Sequence, residues 1–211
     1  MHPELEKKDL SIENMAREAS RDKKVLSELF EGILSKKDTI RFNSFKVLSM
    51  LSKTHPEALY SHWKYFADLL KSDNNYTKYI AIHLIADLTK VDTEHRFEAL
   101  FDTYYSALEG EKTMVAAHVA ALSGKIARHN PELQPRITEK LLAIDRIHRG
   151  KQKELVKGHA IEAFDEYFGE IEKKEEVMRF VEEQLKSRSP KTRKIAKEFL
   201  EKWEPASEKE I

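Results

Sequence analysis

Apolar residues recur at helical spacing in pairs of segments along nearly the whole chain, and no stretch shows the apolar/polar alternation of a strand. The second segment of each pair gives the clearest register. An anchor placed at Arg41, Lys78, Ala116, Lys157 and Arg193 puts Ser44, Ala81, Val119, Ala160 and Ala196 three residues on. Seven on stand Leu48, Ile85, Ser123, Phe164 and Leu200, and ten on stand Leu51, Leu88, Ile126, Tyr167 and Trp203. Steps of three, four and three stay on one face of a helix. Each second segment therefore predicts a helix with one buried stripe, and a small residue at the first stripe position lets a neighbouring helix come close.

The first segments carry Val25, Leu29, Phe30 and Ile33, then Leu59, Trp63, Phe66 and Leu70, then Phe97, Leu100, Phe101, Tyr104 and Leu108. The last two carry Ile137, Leu141, Ile144 and Ile147, and Val177, Phe180, Val181 and Leu185. Before them, Ser11 to Asp22 predicts a short helix presenting Ile12, Met15, Ala16 and Ala19, after a polar start at 1–10 that reads as loose. Residues 113–128 have almost no polar face, which predicts a helix buried on every side. Polar turns at 35–38, 71–75, 109–111 and 149–151 join the members of each pair. Asn130-Pro131 and Ser189-Pro190 read as a capping residue followed by a helix-starting proline.

The chain is thus expected to be all-α. Its parts are a tail and capping helix at 1–22, five helix pairs at about 23–54, 55–92, 93–129, 130–172 and 173–205, and a C-terminal tail at 206–211. A two-helix period near 40 residues marks a helical solenoid. With Asp38-Thr39-Ile40-Arg41-Phe42-Asn43-Ser44-Phe45-Lys46-Val47-Leu48, and Thr192-Arg193 followed by Ala196 and Leu200, the chain resembles the HEAT-repeat family. It departs from the pattern at Ala116 and in the longer turn of the fourth pair. The resemblance implies a right-handed α-solenoid of about five HEAT-like helix pairs whose second helices line a concave face.

Positions opposite the stripe would then face the groove. They include Phe42, Lys46, Tyr79, His83, Ala86, Lys90, Ala117, Ala121, Gly124, Arg128, Gly158, Glu162 and Asp165. This reads as an apolar floor of small residues, basic toward its N-terminal end and acidic toward its C-terminal end. Such a surface suits a protein or peptide partner. The residues expected to bind are Phe42, Tyr79, His83, Ala121, Gly124 and Arg128, with Lys46, Lys90, Glu162 and Asp165 steering.

Composition narrows the chemistry. Equal numbers of acidic and basic residues, 37 each, argue against a whole-molecule grip on nucleic acid. A local basic edge stays open at Arg149, Lys151, Lys153, Arg188, Lys191, Arg193 and Lys194, which gives the alternative of a nucleic-acid binder resembling the HEAT-like DNA alkylation-repair proteins. Against it, Glu162, Asp165, Glu198 and Glu201 fall on the inner face of the same repeats. The absence of cysteine removes disulfides and thiolate metal sites. No Gly-rich phosphate loop, Gly-x-Ser-x-Gly or His-Glu-x-x-His motif occurs, and His83, His118 and His159 do not share a direction on their helices. No apolar run is long enough to span a bilayer, and the start lacks the order of a signal peptide. The expectation is a cytoplasmic, non-catalytic interaction or scaffold module that needs no metal or cofactor and has no membrane partner.

Overall fold

A computed structural model describes residues 2–203, so residues 204–205 of the fifth pair and the tail at 206–211 lie outside the described residues. The described residues form thirteen α-helices and five short 3-10 turns, with no strand. The chain divides into two compact units, the boundary falling between Leu100 and Phe101.

The first unit holds α1 (Ile12–Ala19), α2 (Lys23–Gly32), α3 (Asp38–Thr54), α4 (Pro56–Tyr60), α5 (Trp63–Leu69) and α6 (Asn75–Leu88). Its organising element is α3, on which α1, α2, α4 and α6 all pack, while α4 and α5 also pack on α6. Leu48, Leu51, Ile85 and Leu88 of the stripes are fully buried, together with Leu29 and Phe66 from the first helices. Gly32 of α2 lies against Ser44 of α3 so closely that a Cβ there would collide with the Ser44 side chain. Small residues at the crossing set that separation.

The expected loose start is instead ordered. Pro3–Glu6 forms a 3-10 turn whose Leu5 is wholly buried. Asn43 of α3 donates through Nδ2 to the carbonyls of Leu5 and Lys7, at 3.0 and 2.8 Å. One leucine and one buried amide outweigh the polar composition around them.

Helix α7 (Arg96–Tyr105) carries the boundary, and the second unit continues with α8 (Thr113–His129), α9 (Gln134–Leu142), α10 (Ile144–Ile147), α11 (Lys153–Asp165), α12 (Lys174–Gln184) and α13 (Pro190–Trp203). Here α11 is central, in contact with α8, α9, α10, α12 and α13. Burial of α8 is wide but not complete, since Met114 is 49% exposed. Leu185, expected inward, is exposed at the C-terminal cap of α12.

All stripe positions are buried except Trp203, which is half-buried. The serine on the third stripe is explained by a partner: buried Tyr105 donates its hydroxyl to Ser123 Oγ at 3.1 Å, and the Ser123 hydroxyl donates to the Val119 carbonyl at 2.8 Å. The two arginine anchors do a shared job. Arg41 and Arg193 each donate Nη1 to the carbonyl six residues back, Ser35 at 2.9 Å and Ser187 at 2.6 Å. Lys157, almost fully buried, is matched by Glu154 at 2.9 Å and Asp145 at 3.2 Å. Ala116 is fully buried, so a basic anchor there would leave a charge in the core. Three turns share a further device: the hydroxyls of Ser35, Ser72 and Ser187 accept the backbone N–H two residues on, at 3.1, 3.1 and 3.3 Å.

Two capping expectations part company. Ser189 does accept from the Thr192 N–H at 3.2 Å. Asn130 instead donates back to the Ile126 carbonyl at 3.0 Å, closing the end of α8 rather than opening the next helix.

Candidate functional site

The outward sides of α3 and α6 form an aromatic and basic surface within the first unit. Phe45 of α3 meets Tyr79 of α6 edge to face at 5.3 Å, and Tyr79 leans on His83 at 4.5 Å. Tyr76 extends the group, 6.0 Å from Tyr79. Phe42 and Tyr76 are 47% and 42% exposed, far more than aromatic side chains in a packed interior. Cations lie on both: Lys46 Nζ is 4.2 Å from the Phe42 ring centre, and the Arg41 guanidinium is 4.8 Å from that of Tyr76. Burial pushes the pKa of the Tyr79 hydroxyl up, with Tyr76 adding to the shift, so it stays a neutral phenol at physiological pH.

The charge on this surface is one-sided. α3 and α6 expose or half-expose Arg41, Lys46, Lys53 and Lys78, and Lys90 follows in the turn after α6. Their acidic residues are only two. Asp38 is paired with Arg41, and Asp87 is buried, accepting from Ser52 at 2.7 Å. The first hundred residues hold as many acidic as basic side chains, so this is segregation rather than an overall excess.

Of the residues expected to bind, Phe42, Lys46, Tyr79, His83 and Lys90 are accessible on this unit. Phe45, Tyr76 and Lys78 belong with them, although none of the three is among the positions expected opposite the stripe. The floor of small residues needs correction. Ala86 is fully buried and Ala117 nearly so. Gly124 lies buried at the crossing of α8 and α11, where a Cβ would stand 2.7 Å from the Ala163 carbonyl oxygen. Gly158 is buried against Thr192 in the same way, a Cβ there meeting its Oγ1 at 2.9 Å. At both glycines the neighbouring helix comes close and covers the position.

In the second unit Ala121 is half-buried and Arg128 exposed, paired with Glu166 at 2.8 Å. Burial raises the pKa of Glu166 against the opposing pull of Arg128 and Lys125. The expected steering acids are engaged internally. Glu162 meets His159 at 2.6 Å and Lys191 at 3.9 Å, and Asp165 accepts from Lys202 at 2.7 Å and Trp203 Nε1 at 2.6 Å. On the basic edge, Arg149, Lys151 and Arg188 are exposed. Lys153 donates to the Asp145 carbonyl at 2.6 Å, Arg193 to that of Ser187, and Lys194 pairs with Glu198 at 3.6 Å. Burial first, then His159, lowers the pKa of His118. Among the described residues no group of three His, Asp or Glu side chains is placed to hold a metal ion. Among them, too, no helix is long and apolar enough to cross a membrane.

No family model and no curated protein matches the sequence. The HEAT resemblance therefore rests on the residues that carry it. Among solved structures, an engineered protein, Northeast Structural Genomics Consortium target OR329, is 14% identical, with 90% of this chain and 87% of that one covered and a TM-score of 0.48.

Proposed function

We propose that the chain is a non-catalytic interaction module, built as a right-handed HEAT-like α-solenoid, that binds a protein partner on the outward side of α3 and α6. The solenoid is supported by one stripe buried in five second helices and by arginine anchors bonded alike at Arg41 and Arg193. The binding role is carried by the cluster of Phe42, Phe45, Tyr76 and Tyr79, which remains accessible and is ringed by cations. Aromatic and arginine side chains are the ones enriched at protein interfaces. The alternative, nucleic acid held by the edge from Arg149 to Lys194, has weaker support, because several of those cations are already held by neighbouring groups.

The test is selection from a displayed library of random peptides, comparing wild type with a Phe42→Ala, Tyr76→Ala double variant. Both rings are largely outside the core, so the fold should survive, which circular dichroism checks. Peptides retained by wild type and lost by the variant support the reading. Peptides retained equally by both would remove it.

A further inference from the structure

We infer that the segment recognised by α3 and α6 is an acidic stretch of a protein, with carboxylates spaced among apolar side chains. The inference rests on the interaction reading above and adds the chemistry of the partner.

Two cations of this surface, Lys46 and Lys78, have no acidic residue one turn away on their own helices, whereas Arg41 is already paired with Asp38. Three and four residues to either side of Lys46 stand Phe42, Asn43, Ser49 and Met50, and around Lys78 stand Asn74, Asn75, Ala81 and Ile82. None is acidic. In the second unit, by contrast, Lys194 and Lys197 meet Glu198 and Glu201 one turn on, each at 3.6 Å. Lys46 rests instead over Phe42. A carboxylate arriving from a partner draws that ammonium off the ring, because an ion pair with a hydrogen bond exceeds attraction to a quadrupole. The same movement uncovers the ring face for an apolar side chain of the partner. One exchange thus satisfies a charge and opens an apolar contact, and an acidic segment without apolar residues, or an apolar one without acids, uses only half of it.

Spacing favours a peptide over a nucleic-acid strand. Along α3, Lys46 and Lys53 share a face and are separated by seven residues, or about 10 Å at 1.5 Å per residue, with Phe42 one turn before the first of them. Carboxylates spread among apolar residues suit such wide, interrupted cations. A strand carrying a phosphate on every nucleotide is matched by a closer basic track.

The probes are a labelled peptide of about twelve residues alternating Glu with Phe and Leu, its counterpart with Gln for every Glu, and an oligothymidine of similar length. Fluorescence anisotropy with the full chain at about 150 mM salt reads the binding. The acidic peptide should bind at least tenfold more tightly than the Gln peptide. Lys46→Glu with Lys78→Glu, and separately Phe42→Ala with Tyr76→Ala, should each weaken it at least tenfold, whereas Lys197→Glu on α13 should leave it unchanged. Equal binding of the acidic and Gln peptides, still sensitive to Phe42→Ala with Tyr76→Ala, would overturn the acidic preference and leave the binding face standing. No binding of the acidic peptide at millimolar concentration overturns the acidic preference, and binding insensitive to every variant of the face overturns both readings. Oligothymidine bound more tightly, with the same dependence on Lys46 and Lys78, assigns the face to nucleic acid.

Discussion

On α3 and α6 the outward residues are Phe42, Lys46, Lys53, Tyr76, Lys78 and Tyr79, whereas on α11 and α13 they are Glu162, Asp165, Lys191, Lys194, Lys197, Glu198 and Glu201. Inward, the two sets obey one rule, with a small residue and two large ones along a single stripe, all buried except the half-buried Trp203. Outward, α11 and α13 alternate their charges and pair them, while α3 and α6 expose a single acid, Asp38, among cations and aromatic rings. Packing dictates the inward rule. Nothing in folding dictates the outward one, since exposed ion pairs contribute little to stability and exposed aromatic rings contribute less than buried ones. The departure of α3 and α6 from the neutral, interleaved surface of α11 and α13 is thus the part of the molecule that points to a partner.

The shared inward rule is the easiest half to break. Leu48→Ala in the first unit and Leu200→Ala in the second should each cost about 2–5 kcal/mol, read from denaturant unfolding, and a change below 1 kcal/mol at either site would end the equivalence of the stripes. Next comes the crossing at Gly124. Gly124→Ala drives a methyl onto the Ala163 carbonyl and should cost about 1–3 kcal/mol. Gly169→Ala, where a Cβ meets nothing within 4 Å, should leave the melting temperature nearly unmoved. Asn43→Ala removes both bonds to the N-terminal turn and should cost about 1 kcal/mol, with faster amide exchange confined to the residues around Leu5. Smallest in stability is the outward face: Lys46→Ala should stay within about 0.5 kcal/mol of wild type, even though the same residue governs binding.

Acid sensitivity sharpens the contrast from the other unit. With its folded pKa depressed below the ordinary 6.5, His118 binds a proton more weakly folded than unfolded. Its contribution is therefore fully present above that value and is lost as pH falls through the depressed folded pKa. His118→Gln should flatten the decline of the unfolding free energy below pH 6.5, read from denaturant unfolding at a series of pH values.

The inward half of the molecule was legible because burial follows helical period. The anchors aligned Ser44, Ala81, Ala160 and Ala196 correctly, and all four are buried at helix contacts. Ala86, Ala117, Gly124 and Gly158 were misread as open floor. A helical period gives the direction of a residue but not how near the next helix stands, and small side chains are what bring it near. Phe45 and Tyr76 escaped for a related reason: their meeting with Tyr79 depends on how α3 and α6 are offset along each other, which no single helix encodes. The N-terminal turn has no period at all, only Leu5 and the distant amide of Asn43.

The serine turns carry one more consequence. Ser35, Ser72 and Ser187 bind the backbone two residues on, so the residue in the middle, Lys36, Asp73 or Arg188, is exposed and uninvolved in that bond. Because the chain contains no cysteine, a thiol introduced at any of these sites is unique and can take a dye without disturbing a helix. Lys36→Cys and Arg188→Cys together would make two turns of the same kind the ends of a spectroscopic ruler running from the first unit to the second, each end beside the same serine-to-backbone bond.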